Sequence, residues 1–247
     1  MNDFNFLGIK EHWNILGWWG ISHPLLRVTV PTLIATWVVI FFVIVTLLIC
    51  RVFLSSEKSI VRHVILEGVE GFMDLCSQSL GTFNYKHFSF ITALFVFILY
   101  CNLMGVLPFL EEPTADLNTT LALGTISFLY INYYAIQAHG LKGYISEYFQ
   151  PFFLMFPLNV IGKLASIISI SFRLFGNLLG GSVISTIYMT AVGNAPSVWY
   201  MAWLPPLGAF CSIGVSIFFG IFEGFIQAFV FAMLSLTYLS LETHVED

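Results

Sequence analysis

Charge is what this sequence lacks. Only 9% of its 247 residues are Asp, Glu, Lys or Arg, against the roughly 25% that clothes an ordinary globular domain. Nine basic and fourteen acidic residues cannot cover a water-facing surface of this size, and 58% of the chain is hydrophobic. A soluble fold is excluded. Nucleic-acid binding is excluded too, because it needs a basic face and the formal net charge is −5. Cysteine is scarce: Cys50, Cys76, Cys101 and Cys211 form no CxxC or Cys/His cluster. That removes the common zinc and dithiol motifs, and no disulfide is expected. The first 24 residues carry Asp3, Glu11 and three Trp residues, with no small-residue cleavage pattern and no Arg-rich character. They read as neither a secretory signal nor a transit peptide. This points to a bacterial plasma membrane or an organelle-encoded chain.

Long apolar runs are what is there. A membrane-spanning helix needs about 20 apolar residues. Residues 28–54, 88–110 and 119–138 each supply one, and residues 157–192 and 201–241 form two longer stretches. Thirty-six helical residues would reach about 54 Å, against a hydrocarbon core of about 30 Å. These two stretches are therefore expected to tilt strongly, joined as a helical hairpin through Gly193-Asn194-Ala195-Pro196-Ser197. The expected fold class is an all-α polytopic membrane protein, a single membrane domain over residues 1–247 with about five crossings.

Orientation follows Lys and Arg. Lys58, Arg62 and Lys86 follow the first run, and Lys142 follows the third. The loop after the second run has no basic residue and carries Glu111, Glu112 and Asp116. The first and third loops are then cytoplasmic. Residues 1–27 are external and the C-terminus is cytoplasmic. Between Ser59 and Lys86, Val61, Val64, Ile65, Val69 and Phe72 recur at near-helical spacing among Arg62, Glu67, Glu70 and Asp74. Two readings fit this segment: an interfacial amphipathic helix or an ordinary connecting helix.

Between Tyr148 and Ser240 only three charged residues occur, Lys163, Arg173 and Glu223. Lys163 lies near the start of its run and is expected to snorkel to the interface. Arg173 is the only arginine after Arg62 and sits mid-span. A central arginine costs about 2.5–3.5 kcal/mol on insertion scales and cannot shed its proton. It needs an anionic partner, a water-filled cavity, or both. Ser169, Arg173, Asn177, Gly181 and Ser185 recur at four-residue steps, which makes a small and polar stripe. The next run has its own ribbon: Gly208, Ser212, Ser216, Gly220, Gly224, Ala228 and Ala232. Such spacing lets another backbone approach closely. Glu223 and Gln227 lie beside it, at a similar depth to Arg173 if the hairpin closes. Either Arg173 and Glu223 form an internal salt bridge that fixes packing, or the polar seam is an ion pathway.

Arg173-Leu174-Phe175-Gly176-Asn177 resembles the signature of subunit a of F-type ATP synthases. Further segments are similar to that family in the same order: Asn102-Leu103-Met104-Gly105-Val106-Leu107-Pro108, the stretch from Pro113 to Gly124, Pro157-Leu158-Asn159, Gln227-Ala228-Phe229-Val230-Phe231 and Tyr238-Leu239-Ser240. The resemblance implies a stator subunit packed against a ring of c subunits, each with an ion-carrying carboxylate. Peripheral-stalk b subunits and a catalytic head would be its other partners. Two aqueous half-channels would load and unload the ring, with Arg173 separating them. It implies that Asn177, Gln227 and Ser169 surround Arg173, and that Asp116 marks the outer mouth. Two departures stand out: Ser182 lies where many relatives carry an acid, and Gly220 where many carry His or Glu. Glu223, helped by Ser182, is then expected to take the outer relay role. No catalytic chemistry, metal or cofactor is implied, and protons or Na⁺ both fit. The alternative is a stand-alone channel or secondary transporter, which would need a substrate cavity and usually a pseudo-repeat, neither of which is visible. An intramembrane enzyme is disfavoured, since no hydrolytic constellation is present.

Overall fold

A computed structural model describes residues 12–14, 27–55, 60–81, 83–106, 112–149, 152–194, 214 and 217–243. Apart from one short ribbon, these residues are helical. The ribbon pairs β1 (His12–Asn14) antiparallel with β2 (Arg27–Thr29), with Trp13 opposite Val28. The helices are α1 (Val30–Leu54), α2 (Ile60–Leu80), α3 (Tyr85–Leu103), α4 (Leu117–Glu147), α5 (Phe156–Asn194) and α6 (Gly224–Thr243). Short 3₁₀ turns occur at Met104–Val106, Pro113–Ala115 and Phe153–Met155. A π-helical turn, Phe218–Glu223, leads into α6. The apolar runs become helices because lipid offers no partner for a backbone N–H or C=O.

Among the described residues, four helical segments are long and apolar enough to cross a membrane: Val30–Leu54, Tyr85–Leu103, Phe153–Tyr188 and Phe218–Thr243. The chain is a multi-pass membrane protein. The run at 119–138 lies within α4, which is long enough to span but is laced with polar residues such as Thr125, Ser127, Asn132 and Gln137. α1 buries only Thr32, Ala35 and Val39, one narrow stripe, and turns Trp37, Phe41, Leu47 and Val52 outward. In water that surface would aggregate; against lipid tails it costs nothing. Cys50, Cys76 and Cys101 are free thiols, whereas Cys211 lies outside the described residues, as do residues 201–213 of the expected last span.

The chain divides into two compact units. The first comprises Met1–Val39, Ile98–Thr120 and Phe172–Ala228; the second comprises Ile40–Phe97, Leu121–Ser171 and Phe229–Asp247. The second unit has an apolar core of Cys76 (α2), Ile91 (α3), Ala232 and Leu236 (α6), rimmed by Phe72, Phe88, Phe90 and Phe95. Phe90 stacks on Tyr130 of α4 with centroids 3.7 Å apart, and His87 Nδ1 lies 3.1 Å from the Tyr130 hydroxyl. The C-terminal half of α2 thus packs on protein. Its N-terminal half leaves Ile60, Val61 and Val64 exposed, as an interfacial helix would.

α4 runs past the end of the expected span and is broken at Gly140, with φ 71° and ψ 162°. Only glycine occupies that region without strain. The break separates His139, whose Nε2 lies 3.1 Å from the Glu242 carbonyl oxygen, from the turn carrying Tyr144 and Tyr148. Those two rings flank the Lys163 ammonium at 4.8 and 4.5 Å, and Lys163 Nζ pairs with Glu242 Oε2 at 2.6 Å. Lys163 is therefore held within the protein by a carboxylate and two aromatic faces, where the sequence suggested a snorkelling side chain.

Gly140→Ala is expected to destabilise the protein by about 1–3 kcal/mol, because alanine pays for that backbone conformation. Gly162→Ala, on α5 with open space where its Cβ would go, serves as the control and should be neutral or slightly stabilising. Thermal unfolding of the two variants in detergent checks this; equal midpoints would count against the break at Gly140.

Candidate functional site

The first unit contains Asp116, Arg173, Asn177, Ser182, Glu223 and Gln227; Ser169 belongs to the second. α5 carries the central group. It buries one face, made of Ile170, Ser171, Leu174 and Gly181. At 100° per residue these side chains cluster within about a third of a turn. Arg173 falls well away from that face and is exposed, together with Ser169, Phe172, Gly176 and Gly180's flank at Leu179. Asn177 lies between the two faces and is half-buried. The small-residue stripe behaves as its spacing predicts where a neighbour is close. A Cβ on Gly181 would come within 3.1 Å of the Phe219 ring, so only a hydrogen fits comfortably there.

The last helix is approached in the same way. Gly220, Gly224, Ala228 and Ala232 are all buried, while Gly208, Ser212 and Ser216 lie outside the described residues. Glu223 and Gln227 flank this ribbon and are half-buried. Glu223 ends the π-helical turn, whose last carbonyls at Phe219 and Ile221 accept from the Gly224 N–H. Such turns leave the regular ladder one residue out of step and occur often at functional sites.

What holds this turn is a residue that the sequence did not single out as functional. Asn102, at the end of α3, is 1% exposed. Its Nδ2 donates to the Gly224 carbonyl at 2.9 Å, and its Oδ1 accepts from the Thr114 hydroxyl at 3.1 Å. The amide thus joins the α3 end, the following loop and the start of α6. The approach requires glycine, since a Cβ on Gly224 would lie 2.9 Å from the Asn102 Cβ.

Two loop acids behave differently. Asp116 caps α4: its Oδ1 accepts from the Asn118 N–H at 3.0 Å and its carbonyl from Thr119 and Thr120. An acid there also faces the positive end of the helix dipole. Glu112 instead packs inward against Gly105, where a Cβ on the glycine would overlap its Oε1. Burial raises its carboxyl from the ordinary 4.5 to about 7. Ser182 donates to the Leu179 carbonyl of its own helix at 2.9 Å.

Arg173 and Glu223 form no ion pair. Among the described residues the one such pair is Lys163–Glu242. No cluster of His, Cys, Asp or Glu among the described residues could hold a metal ion. The second unit contains a separate cavity of about 40 Å³, lined by Ser127, Asn132, Lys163, Ser166, Tyr238 and Glu242 among others. Its lining is mixed, with Phe128, Ile131, Ile167 and Ile170 beside those polar groups, and it has room for water.

The sequence profile of the "ATP synthase A chain" family matches residues 32–240. The chain belongs to this family. It is 30% identical to "ATP synthase subunit a" of Desulforamulus reducens over 96% of this chain and 88% of the relative. It is 33% identical to the protein of the same name from Moorella thermoacetica, covering 86% of this chain and 90% of the relative. The "ATP synthase subunit a, sodium ion specific" of Propionigenium modestum is 32% identical over 84% of this chain and 72% of its own length. The family is a non-catalytic, ion-translocating subunit of the membrane sector of F-type ATP synthase, and it works with the other subunits of that complex.

Asn102→Ala should cost about 1–3 kcal/mol, because it strands the Gly224 carbonyl and the Thr114 hydroxyl in a buried site. Gly224→Ala should cost a similar amount through the clash with Asn102. Adding Asn102→Gly to Gly224→Ala removes the clashing side chain, so the pair should be non-additive, and thermal unfolding of the single and double variants measures it. Additive losses would show that the two residues are not in contact.

Proposed function

We propose that the chain is the stator of a rotary ion motor, with Arg173 keeping apart two aqueous half-channels that load and unload the carboxylates of a c-ring. The observation that carries this reading is the state of Arg173: an always-charged guanidinium in a membrane helix, on a face that the described residues leave uncovered, with no acid among them paired to it. A cation so placed is ready for a carboxylate brought by a partner. It favours the ionised form of that carboxylate and so strips its bound ion as each c subunit arrives. It also repels a cation attempting to leak straight through.

Asn177 and Gln227 supply polar, uncharged surroundings, with Ser169 one turn before the arginine. Glu223, free of Arg173, serves as relay acid of the outer half-channel, with Ser182 beside the path and Asp116 at its mouth while capping α4. The cavity in the second unit supports a second, cytoplasmic water path. With α4 counted as a crossing, the C-terminus is cytoplasmic and the membrane is a bacterial plasma membrane. Peripheral-stalk b subunits and the catalytic head complete the assembly. Protons or Na⁺ both fit as the ion carried, and the name of one relative specifies sodium.

In vesicles carrying the whole complex, Arg173→Ala should abolish ATP synthesis driven by an ion gradient, while the detached soluble head still hydrolyses ATP. Arg173→Lys should fail or nearly fail, because an ammonium is a point charge that can deprotonate. Normal synthesis by the alanine variant would refute the role given to Arg173.

Cysteines at Asn177 or Leu178 should cross-link to cysteines placed near the c-subunit carboxylate, and one at Val39 should not. Cross-links from Val39 with none from the Arg173 helix would reverse the assignment of the ring-facing wall. For Glu223, Glu223→Gln should assemble normally yet lose passive ion conduction in vesicles stripped of the head. Wild-type conduction by that variant would end the relay role.

A further inference from the structure

Glu112 is a half-buried acid for which neither the fold nor the family signature has a use. It follows the outer loop's Glu111 and precedes Pro113, and its carboxyl lies in a notch made by the missing side chain of Gly105. Within two residues of it is Thr114, fully buried, whose hydroxyl donates to Asn102. Asn102 in turn donates to Gly224, the residue after Glu223. All of these belong to the first unit. A series of contacts, Glu112 on Gly105, Thr114 on Asn102 and Asn102 on Gly224, thus leads from the loop acid to the π turn that carries Glu223. Among the described residues, the buried thiol of Cys101 on α3 is a titratable neighbour of Glu112. No cation pairs with Glu112 among the described residues.

We propose that Glu112 is a proton-binding residue of the outer access path, taking up protons on the loop side and handing them on toward Glu223. The proposal rests on the ion-motor reading given above and deepens it, because it makes the proton the ion of that path. The step is a plain proton transfer. The proton leaves the neutral carboxyl of Glu112 and is taken up by the carboxylate of Glu223, one O–H bond breaking and one forming, and the Glu112 carboxylate is then reprotonated from the aqueous side. Asp116 is less suited to this work, because its carboxylate is engaged by the first turn of α4. The environment of Glu112 favours the task. Burial lifts its carboxyl from 4.5 to about 7, so near neutral pH it exchanges between both forms. A carrier works best when its affinity matches the ambient proton concentration. The sign is fixed by that shift. The folded state favours the protonated acid, an advantage complete below about 4.5 and lost as pH rises through about 7.

The experiment measures passive proton conduction in head-stripped vesicles, expressed per assembled complex, as a function of pH on the loop side. Glu112→Gln should slow conduction about tenfold or more and remove the component of the pH profile that titrates near neutrality. Glu112→Asp should restore part of the rate and of the profile, which a purely structural role would not require. Gly105→Ala, which fills the notch and displaces the carboxyl, should shift the profile without abolishing conduction. A Glu112→Gln complex with wild-type rate and profile overturns the proposal. So does a loss that lies wholly in the amount of complex assembled, with conduction per complex unchanged, and so does wild-type conduction of Na⁺ with none of protons. Failure of the underlying reading is separately visible, because it requires Arg173→Ala to retain gradient-driven synthesis.

Discussion

The Asn102 amide is the interaction on which the candidate site depends. In lipid, a backbone carbonyl freed from its helical ladder has no water to fall back on, and each unsatisfied group costs several kcal/mol. The π turn at Phe218–Glu223 disturbs the ladder where α6 begins, and Asn102 donates to the carbonyl of Gly224 there. The same amide has its oxygen occupied by Thr114. Both halves of one side chain are spent on fixing where Glu223 stands relative to the α3 end and the loop. A hydrophobic contact could not do this, because apolar packing in a membrane has little directional preference.

Much of this was legible in the residues. Length and hydropathy anticipated α1 and α5 to within two positions at each end, whereas α3 ends at Leu103, short of the run expected to reach residue 110; helices form there because backbone groups in lipid must be satisfied internally. Arg173 was legible because a permanent charge in an apolar helix is expensive. The ribbon of small residues was legible too, since its four described members are all buried. The ribbon also held an unread sign. An α-helix turns in 3.6 residues, so a strict spacing of four drifts by about 40° at each step. A stripe that keeps one face over several steps needs a wider turn somewhere, and the π turn supplies it between Gly220 and Gly224.

Other features were beyond sequence reasoning for identifiable reasons. Gly140 sits among residues of ordinary helical pattern, and nothing local separates a tolerated helix glycine from one with positive φ. Lys163 had no partner within its own run; its carboxylate comes from Glu242, 79 positions away. Glu111, Glu112 and Asp116 are three acids in one loop, and composition treats them alike. One is a helix cap and another fills a glycine notch, a division set only by how the 3₁₀ turn Pro113–Ala115 aims the chain.

The π turn also determines which kinds of change the last helix can absorb. A substitution at Ile221 or Phe222 alters an exposed side chain and leaves the backbone path as it was. Tightening 218–223 into an ordinary α-helix with every residue kept would rotate everything on one side by about 100° relative to the other. Gln227 and Ala228 would then change places with respect to the seam while keeping their chemistry. The information in this stretch is therefore carried by phase as much as by residue identity: its winding is constrained where its composition is comparatively free.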